Sequence, residues 1–189
     1  MNVAGNHVNT ISTKRLTLRP LRADDLVNLA AACNNQRIAR NLAYMPWPYD
    51  LDDARAFYDF TLTLSTRSGI FAVFERNAAT SIIGMVGYEK AGLETEIGYW
   101  VSEPWWGKGI VSEAATVAVE HAFQVTGIDR LQGRCFLGNE RSRRVLVGLG
   151  FRPTQIGSTF SVARRSHVVS QHFELTCKEW RLSRGHRKP

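Results

Sequence analysis

A chain of 189 residues with 44% hydrophobic and 22% charged side chains has the make-up of one globular domain with a sizeable core. No apolar run reaches the length of a membrane-spanning helix, and the polar start MNVAGNHVNTISTK lacks the apolar stretch of a secretory signal, so a cytoplasmic protein without membrane contact is expected. The formal net charge of +7 and pI near 9.7 favour a polyanionic ligand over a cationic one.

Residues 1–12 read as a flexible leader, 13–181 as a single domain and 182–189 as a basic tail. The run RLTLRPL (15–21) alternates and reads as a first strand. RADDLVNLAAACNN (22–35) follows as a helix with Leu26, Leu29, Ala30 and Cys33 on one side. In NLAYMPWPYD (41–50), Pro46 and Pro48 forbid a regular helix. A second helix with acids in its first turn covers 50–65. Three strand-like runs, 70–76, 81–91 and 94–102, have short polar links and form antiparallel hairpins. A helix after residue 109 carries Val111, Ala114, Ala115, Ala118, Val119 and Ala122 on one face and stops at Gly127. A strand at 130–137, a short helix at 139–150 and two long strand-like runs finish the chain. This order gives an α/β (α+β) domain, a mixed and mostly antiparallel sheet of about seven strands with helices on both faces.

The three cysteines, Cys33, Cys135 and Cys177, are far apart and odd in number, so buried free thiols are expected and no metal site. The acid-free end RLSRGHRKP comes without a nucleic-acid motif and reads as solvated charge; a nucleic-acid contact there is the weaker alternative.

The stretch EPWWGKGIVSEA (103–114) demands an explanation. Lys108 is followed by Gly109, not Ser or Thr, which excludes a Walker A loop. Ser112 occupies the third small-residue position of a dinucleotide fingerprint, and the stretch follows antiparallel strands, which weakens that reading. What remains is a strand, a short loop and a helix N-terminus stripped of Cβ atoms at Gly107 and Gly109. The main-chain N–H groups of Gly107, Lys108, Gly109 and Ile110, with the helix dipole behind them, can bind phosphate oxygens; a turn that binds nothing is the alternative.

Two more segments narrow the choice. EIGYWVS enters the loop directly, and NERSRRVLVGLGF lies about 30 residues beyond it. Glu96-Ile97-Gly98-Tyr99-Trp100, Trp106-Gly107-Lys108-Gly109 with Glu113-Ala114, and Asn139, Ser142 and Leu149-Gly150-Phe151 together resemble the GCN5-related N-acetyltransferases (GNAT), in particular the RimJ/RimL branch that acetylates ribosomal-protein N-termini. The resemblance covers about residues 13 to 181. Two positions depart from it. Pro104 stands where many members carry Gln or Arg, and Leu146 where many carry a tyrosine general acid.

The resemblance implies an enzyme with acetyl-CoA as donor, no metal, and a primary amine as acceptor, either a protein N-terminus or a small molecule. The diphosphate would lie on residues 107 to 110, and the pantetheine arm beside the main chain near Tyr99, Trp100 and Val101, in a gap if the sheet splays there. Trp106 and Asn139 belong to the same cofactor set, with Lys108, Arg143 and Arg144 as candidate phosphate partners. Direct attack by the amine through a tetrahedral intermediate needs a base, an oxyanion donor and an acid. Glu96 is the candidate base, a backbone N–H of residues 99–101 the donor, and Ser142 or solvent the proton source for the thiolate. Tyr44, Trp47 and Tyr49 are candidate acceptor contacts. A non-catalytic acyl-CoA sensor is the alternative function. A monomer and a homodimer are both open.

Overall fold

The computed structural model describes residues 9–78 and 81–185. The chain forms β1 (Ile11–Ser12) and β2 (Leu16–Arg19), then a 3-10 turn (Ala23–Asp25), α1 (Leu26–Cys33), α2 (Gln36–Ala39) and α3 (Leu51–Thr63). A meander of β3 (Gly69–Glu75), β4 (Gly84–Ala91) and β5 (Glu94–Val101) follows. A second 3-10 turn (Glu103–Trp105) precedes α4 (Ile110–Gln124), and the chain closes with β6 (Arg130–Phe136), α5 (Glu140–Gly148), β7 (Arg152–Ser161), β8 (Ser166–Thr176) and α6 (Cys177–Gly185).

The strands make one sheet in the order β1-β2-β3-β4-β5-β6-β8-β7, with every neighbouring pair antiparallel except β5 and β6. The expected mixed, mostly antiparallel sheet is present, with eight strands where about seven were expected. The additional one is the two-residue β1, inside the stretch expected as a leader; residues 1–8 of that stretch and 186–189 of the basic tail lie outside the described residues. The first expected helix divides into a 3-10 turn and α1, the short α2 follows beyond its expected end, and α6 replaces the end of the last strand-like run.

Strand alternation builds two cores. Phe71 and Val73 of β3 face Ala114, Ala115 and Ala118 of α4, whose methyl side chains let that helix lie close to the sheet. Ile70, Ala72 and Phe74 face the other way, toward Leu29 and Cys33 of α1 and Ala54 of α3. Asp50 starts α3 by accepting from the N–H groups of Asp52 and Asp53 at 2.9 and 3.0 Å. Where the strands approach most closely, side chains disappear. A Cβ at Gly87 would stand 2.7 Å from the Gly69 carbonyl oxygen and 3.0 Å from the Ile70 Cα. Gly87→Ala therefore forces β3 and β4 apart and costs about 1–3 kcal/mol. Thermal unfolding should show a clear fall in Tm, and an unchanged Tm would contradict this packing.

Candidate active site

The sheet opens at its centre. The parallel pair β5–β6 holds only at Glu96–Gln132 and Ile97–Gly133, while β5 continues to pair with β4 as far as Val101–Gly84. The two strands therefore part beyond Ile97, two residues before Tyr99, after which a splay would have opened the expected gap. Ser102 donates its N–H to the Ile83 carbonyl at 2.8 Å, and strand residues turn their main-chain groups to alternate edges. Tyr99 and Val101 thus present theirs to the gap. The Val101 carbonyl is already occupied by the indole N–H of Trp106 at 2.8 Å. The Tyr99 N–H and C=O and the Val101 N–H are left as strand-like partners for an extended amide.

The glycine loop caps this gap. Gly107 and Gly109 have φ of +74° and +73°, a conformation that favours glycine, and a Cβ at Gly107 would meet no atom within 4 Å. The loop is therefore bare at Gly107, with open space where a side chain would start. The Arg15 guanidinium donates to the Lys108 carbonyl at 2.8 Å and to the Glu113 carboxylate at 2.7 Å, tying the loop to β2 and α4. Burial works against ionisation of Glu113, but hydrogen bonds from Thr13 and Arg15 outweigh it and hold the carboxyl below its usual value.

The opposite wall is α5. Asn139 caps it by accepting the Ser142 N–H at 3.2 Å. The Tyr99 hydroxyl lies 3.0 Å from the Ser142 hydroxyl and 3.2 Å from its carbonyl. Burial drives the Tyr99 phenol well above its ordinary pKa, against the opposing effect of that hydrogen bond, so it stays protonated. Cys135 lies on the same wall, its thiol also raised by burial.

A single cavity of about 880 Å³ runs along all of these features and through the gap to the α1/α3 side of the sheet. It brings together Glu96, Tyr99, Trp100, Val101, Trp106, Gly107, Gly109, Ile110, Asn139, Ser142, Tyr44 and Tyr49 from the sequence reading. Three expected contacts do not line it. Lys108 turns its ammonium over the Trp105 ring, 4.9 Å from the centroid. Trp47 stands outside, 40% exposed, before a cis peptide bond to Pro48. Arg143 is also off the wall and pairs with Glu140 at 3.7 Å, whereas Arg144 lies on it.

Several wall residues escaped the sequence reading. Arg37 and Arg141 both stand over the Trp106 ring, at 5.1 and 4.7 Å, and place positive charge at the loop end. At the other end lie Asp53, Glu89 and Glu96. Glu96 is held by both arms of the Arg134 guanidinium from across the gap, with Nε 2.8 Å from Oε1. That pairing raises the Arg134 pKa and keeps the guanidinium charged. Arg37 and Arg134 sit in no local motif, and Arg141 lies inside NERSRRVLVGLGF without having been singled out; only the fold shows where they point. His121, by contrast, is a core group, 2.6 Å from the Tyr88 hydroxyl.

A family profile for the Acetyltransferase (GNAT) domain matches residues 15–152, and the chain belongs to that family. It is thus an acetyltransferase, and its donor substrate is acetyl-CoA. The ribosomal-protein-serine acetyltransferase of Escherichia coli (strain K12) is 26% identical over 125 residues, 61% of this chain and 70% of that protein. The structure of RimL, a ribosomal L7/L12 alpha-N-protein acetyltransferase in complex with coenzyme A, matches with a TM-score of 0.77 at 16% identity, covering 89% of this chain and 98% of that one. The Microcin C7 self immunity acetyltransferase MccE, in complex with acetyl-CoA and AMP, matches with a TM-score of 0.73 at 18% identity over 87% and 93% of the chains. Among the described residues no helix is long and apolar enough to cross a membrane, and no group of three or more His, Cys, Asp or Glu could hold a metal.

The donor fits the residues present: the bare loop suits a diphosphate, and the open β5 edge suits an amide chain. Gly107→Ala should weaken acetyl-CoA binding about tenfold or more, about 1.4 kcal/mol by calorimetry. The left-handed conformation is unfavourable for alanine, so the substitution would shift the main-chain N–H groups of the loop. Unaltered affinity would remove the loop from donor binding.

Proposed function

We propose that this protein transfers the acetyl group of acetyl-CoA directly to a primary amine, and that the amine is the N-terminus of a protein, as in the ribosomal-protein type of GNAT enzyme. A small-molecule amine is the other acceptor class the cavity could admit. The observation that carries the reading is the continuity of the cavity, from the glycine loop through the β5–β6 gap to an apolar pocket on the α1/α3 side. A donor entering from one side of the sheet and an acceptor from the other meet in the gap.

The roles follow from the walls. N–H groups of residues 107–110 take the diphosphate, with Arg37, Arg141 and Arg144 adding charge at that end. The N–H groups of Tyr99 and Val101 point into the gap, where one can stabilise an oxyanion on the thioester carbonyl. A carboxylate at the acceptor end, where Glu96 and Glu89 face each other, takes the proton of the incoming ammonium. The Tyr99 and Ser142 hydroxyls form a hydrogen-bonded pair able to return a proton to the departing thiolate. Met45, Tyr49, Phe57 and Trp100 receive the apolar part of the acceptor, and Tyr44 stands at its rim, 72% exposed. A thioester donor and free thiols at Cys33, Cys135 and Cys177 suit the reducing cytoplasm.

A thiol-release assay with short peptides beginning with serine or alanine, spermidine and an aminoglycoside tests the reading. Rapid release with a peptide, and an acetyl group on its α-amine by mass spectrometry, is expected. A thioester left intact by every amine would overturn it. With the amine that turns over fastest, Ser142→Ala should lower kcat roughly 100-fold, at the low end for general acid catalysis, while acetyl-CoA affinity holds. A wild-type rate would assign protonation of the thiolate to solvent.

A further inference from the structure

The acceptor end holds two carboxylates in different circumstances. Glu89 of β4 and Glu96 of β5 are directly opposed in the antiparallel register, so their side chains leave the same face of the sheet as neighbours. That face carries Met85 and Trp100, which pack toward α1 and α3. Between the carboxylates and Trp100 the opposed pair is Gly87–Gly98. A Cβ at Gly98 would meet nothing within 4 Å, so the sheet beside Glu96 is open floor at that residue.

Glu96 has both oxygens engaged by Arg134. Both oxygens of that carboxylate are therefore committed to the guanidinium, and neither is left free to meet an incoming ammonium. Glu89 lines the same cavity and is half-buried, and its carboxylate makes no hydrogen bond or ion pair with the described residues. The charged and titratable groups on the cavity wall around it are Glu96 beside it, Arg134 behind Glu96, Asp53 from α3 and Tyr44 from the segment after α2. Burial, and then the Glu96 charge, raise the Glu89 carboxyl above its ordinary value, the direction a base working near neutral pH needs.

Resting on the amine-transfer reading, we propose that Glu89 is the catalytic base, and that Glu96, locked by Arg134, is a positioning residue that keeps Arg134 from neutralising it. The ammonium arriving over Gly98 breaks an N–H bond and the proton forms an O–H bond on Glu89. An ammonium–carboxylate pair becomes a neutral amine and a neutral acid, and the amine lone pair is free to attack. The same unpaired carboxylate attracts the ammonium before the transfer, so an acceptor with a charged amine on an apolar body is the class favoured. Glu89 gives its proton to solvent once product leaves.

The test is the pH dependence of kcat/KM for the wild-type protein, Glu89→Gln, Glu89→Asp and Glu96→Gln, using the fastest amine of the panel above, with acetyl-CoA affinity measured for each. The wild-type rate should rise with pH as Glu89 loses its proton. Glu89→Gln should lose roughly 100-fold or more and its acid limb, with acetyl-CoA affinity unchanged. Glu89→Asp should keep a reduced rate and an acid limb. Glu96→Gln should keep the limb but at lower pH, since a neighbouring negative charge is gone and Arg134 is released toward Glu89. A Glu89→Gln protein with wild-type rate and acid limb, alongside a Glu96→Gln protein that has lost both, would overturn the proposal and leave the transfer reading standing. A wild-type protein that binds acetyl-CoA and acetylates no amine would overturn the transfer reading itself, and the proposal with it.

Discussion

The parting of β5 from β6 is the constraint on which the site depends. A sheet normally satisfies both edges of each inner strand, and an unpaired main-chain group within a protein is costly unless something replaces the missing partner. Here two residue pairs join the strands, and beyond them Tyr99 and Val101 of β5 turn their main-chain groups to open space. The protein fills only one of those positions itself, with the Trp106 indole on the Val101 carbonyl. The remaining groups are an extended, pre-formed edge, and an amide-bearing arm can complete the sheet there without any rearrangement of the strand.

The rest of the architecture keeps that edge open and gives it two ends of different charge. Leu146 of α5 packs against Gly133, and α4 lies along the meander through a row of alanines, so the sheet is braced on both sides of the opening. Arg15 then fixes the loop from outside, through the Lys108 carbonyl and Glu113. Because those contacts use the carbonyl side and the neighbouring helix, they leave the N–H groups at the start of α4 available. Arginines gather at the loop end, which suits the anionic donor, and carboxylates gather with Arg134 at the other end, where the proposed amine would enter.

How far this was legible in the sequence depends on the range of the interaction. Local devices were readable. The two glycines announced the loop, Asn139 announced the start of α5, and alternation and helical spacing announced the main strands and helices. The two-residue β1 has too few residues to show a period, and α6 was hidden because CKEWRLSRG follows a long strand-like run without a glycine or proline to mark the change. Pairings over long separations left no trace. Arg134 is 38 residues from Glu96, and Arg15 is 93 residues from Lys108. Lys108 shows the reverse error: its place between the glycines suggested a phosphate partner, but its side chain lies on Trp105 and its carbonyl serves Arg15. Trp47 was chosen for size in a proline-rich segment, but it stands outside the cavity that its neighbours Tyr44 and Tyr49 reach.

A crystal structure of the complex with acetyl-CoA tests the central claim most directly. The account predicts the diphosphate on the main-chain N–H groups of residues 107–110 and the pantetheine amides paired with Tyr99 and Val101 between β5 and β6. A donor bound elsewhere, with those strands closed against each other and the loop free of phosphate, would contradict it.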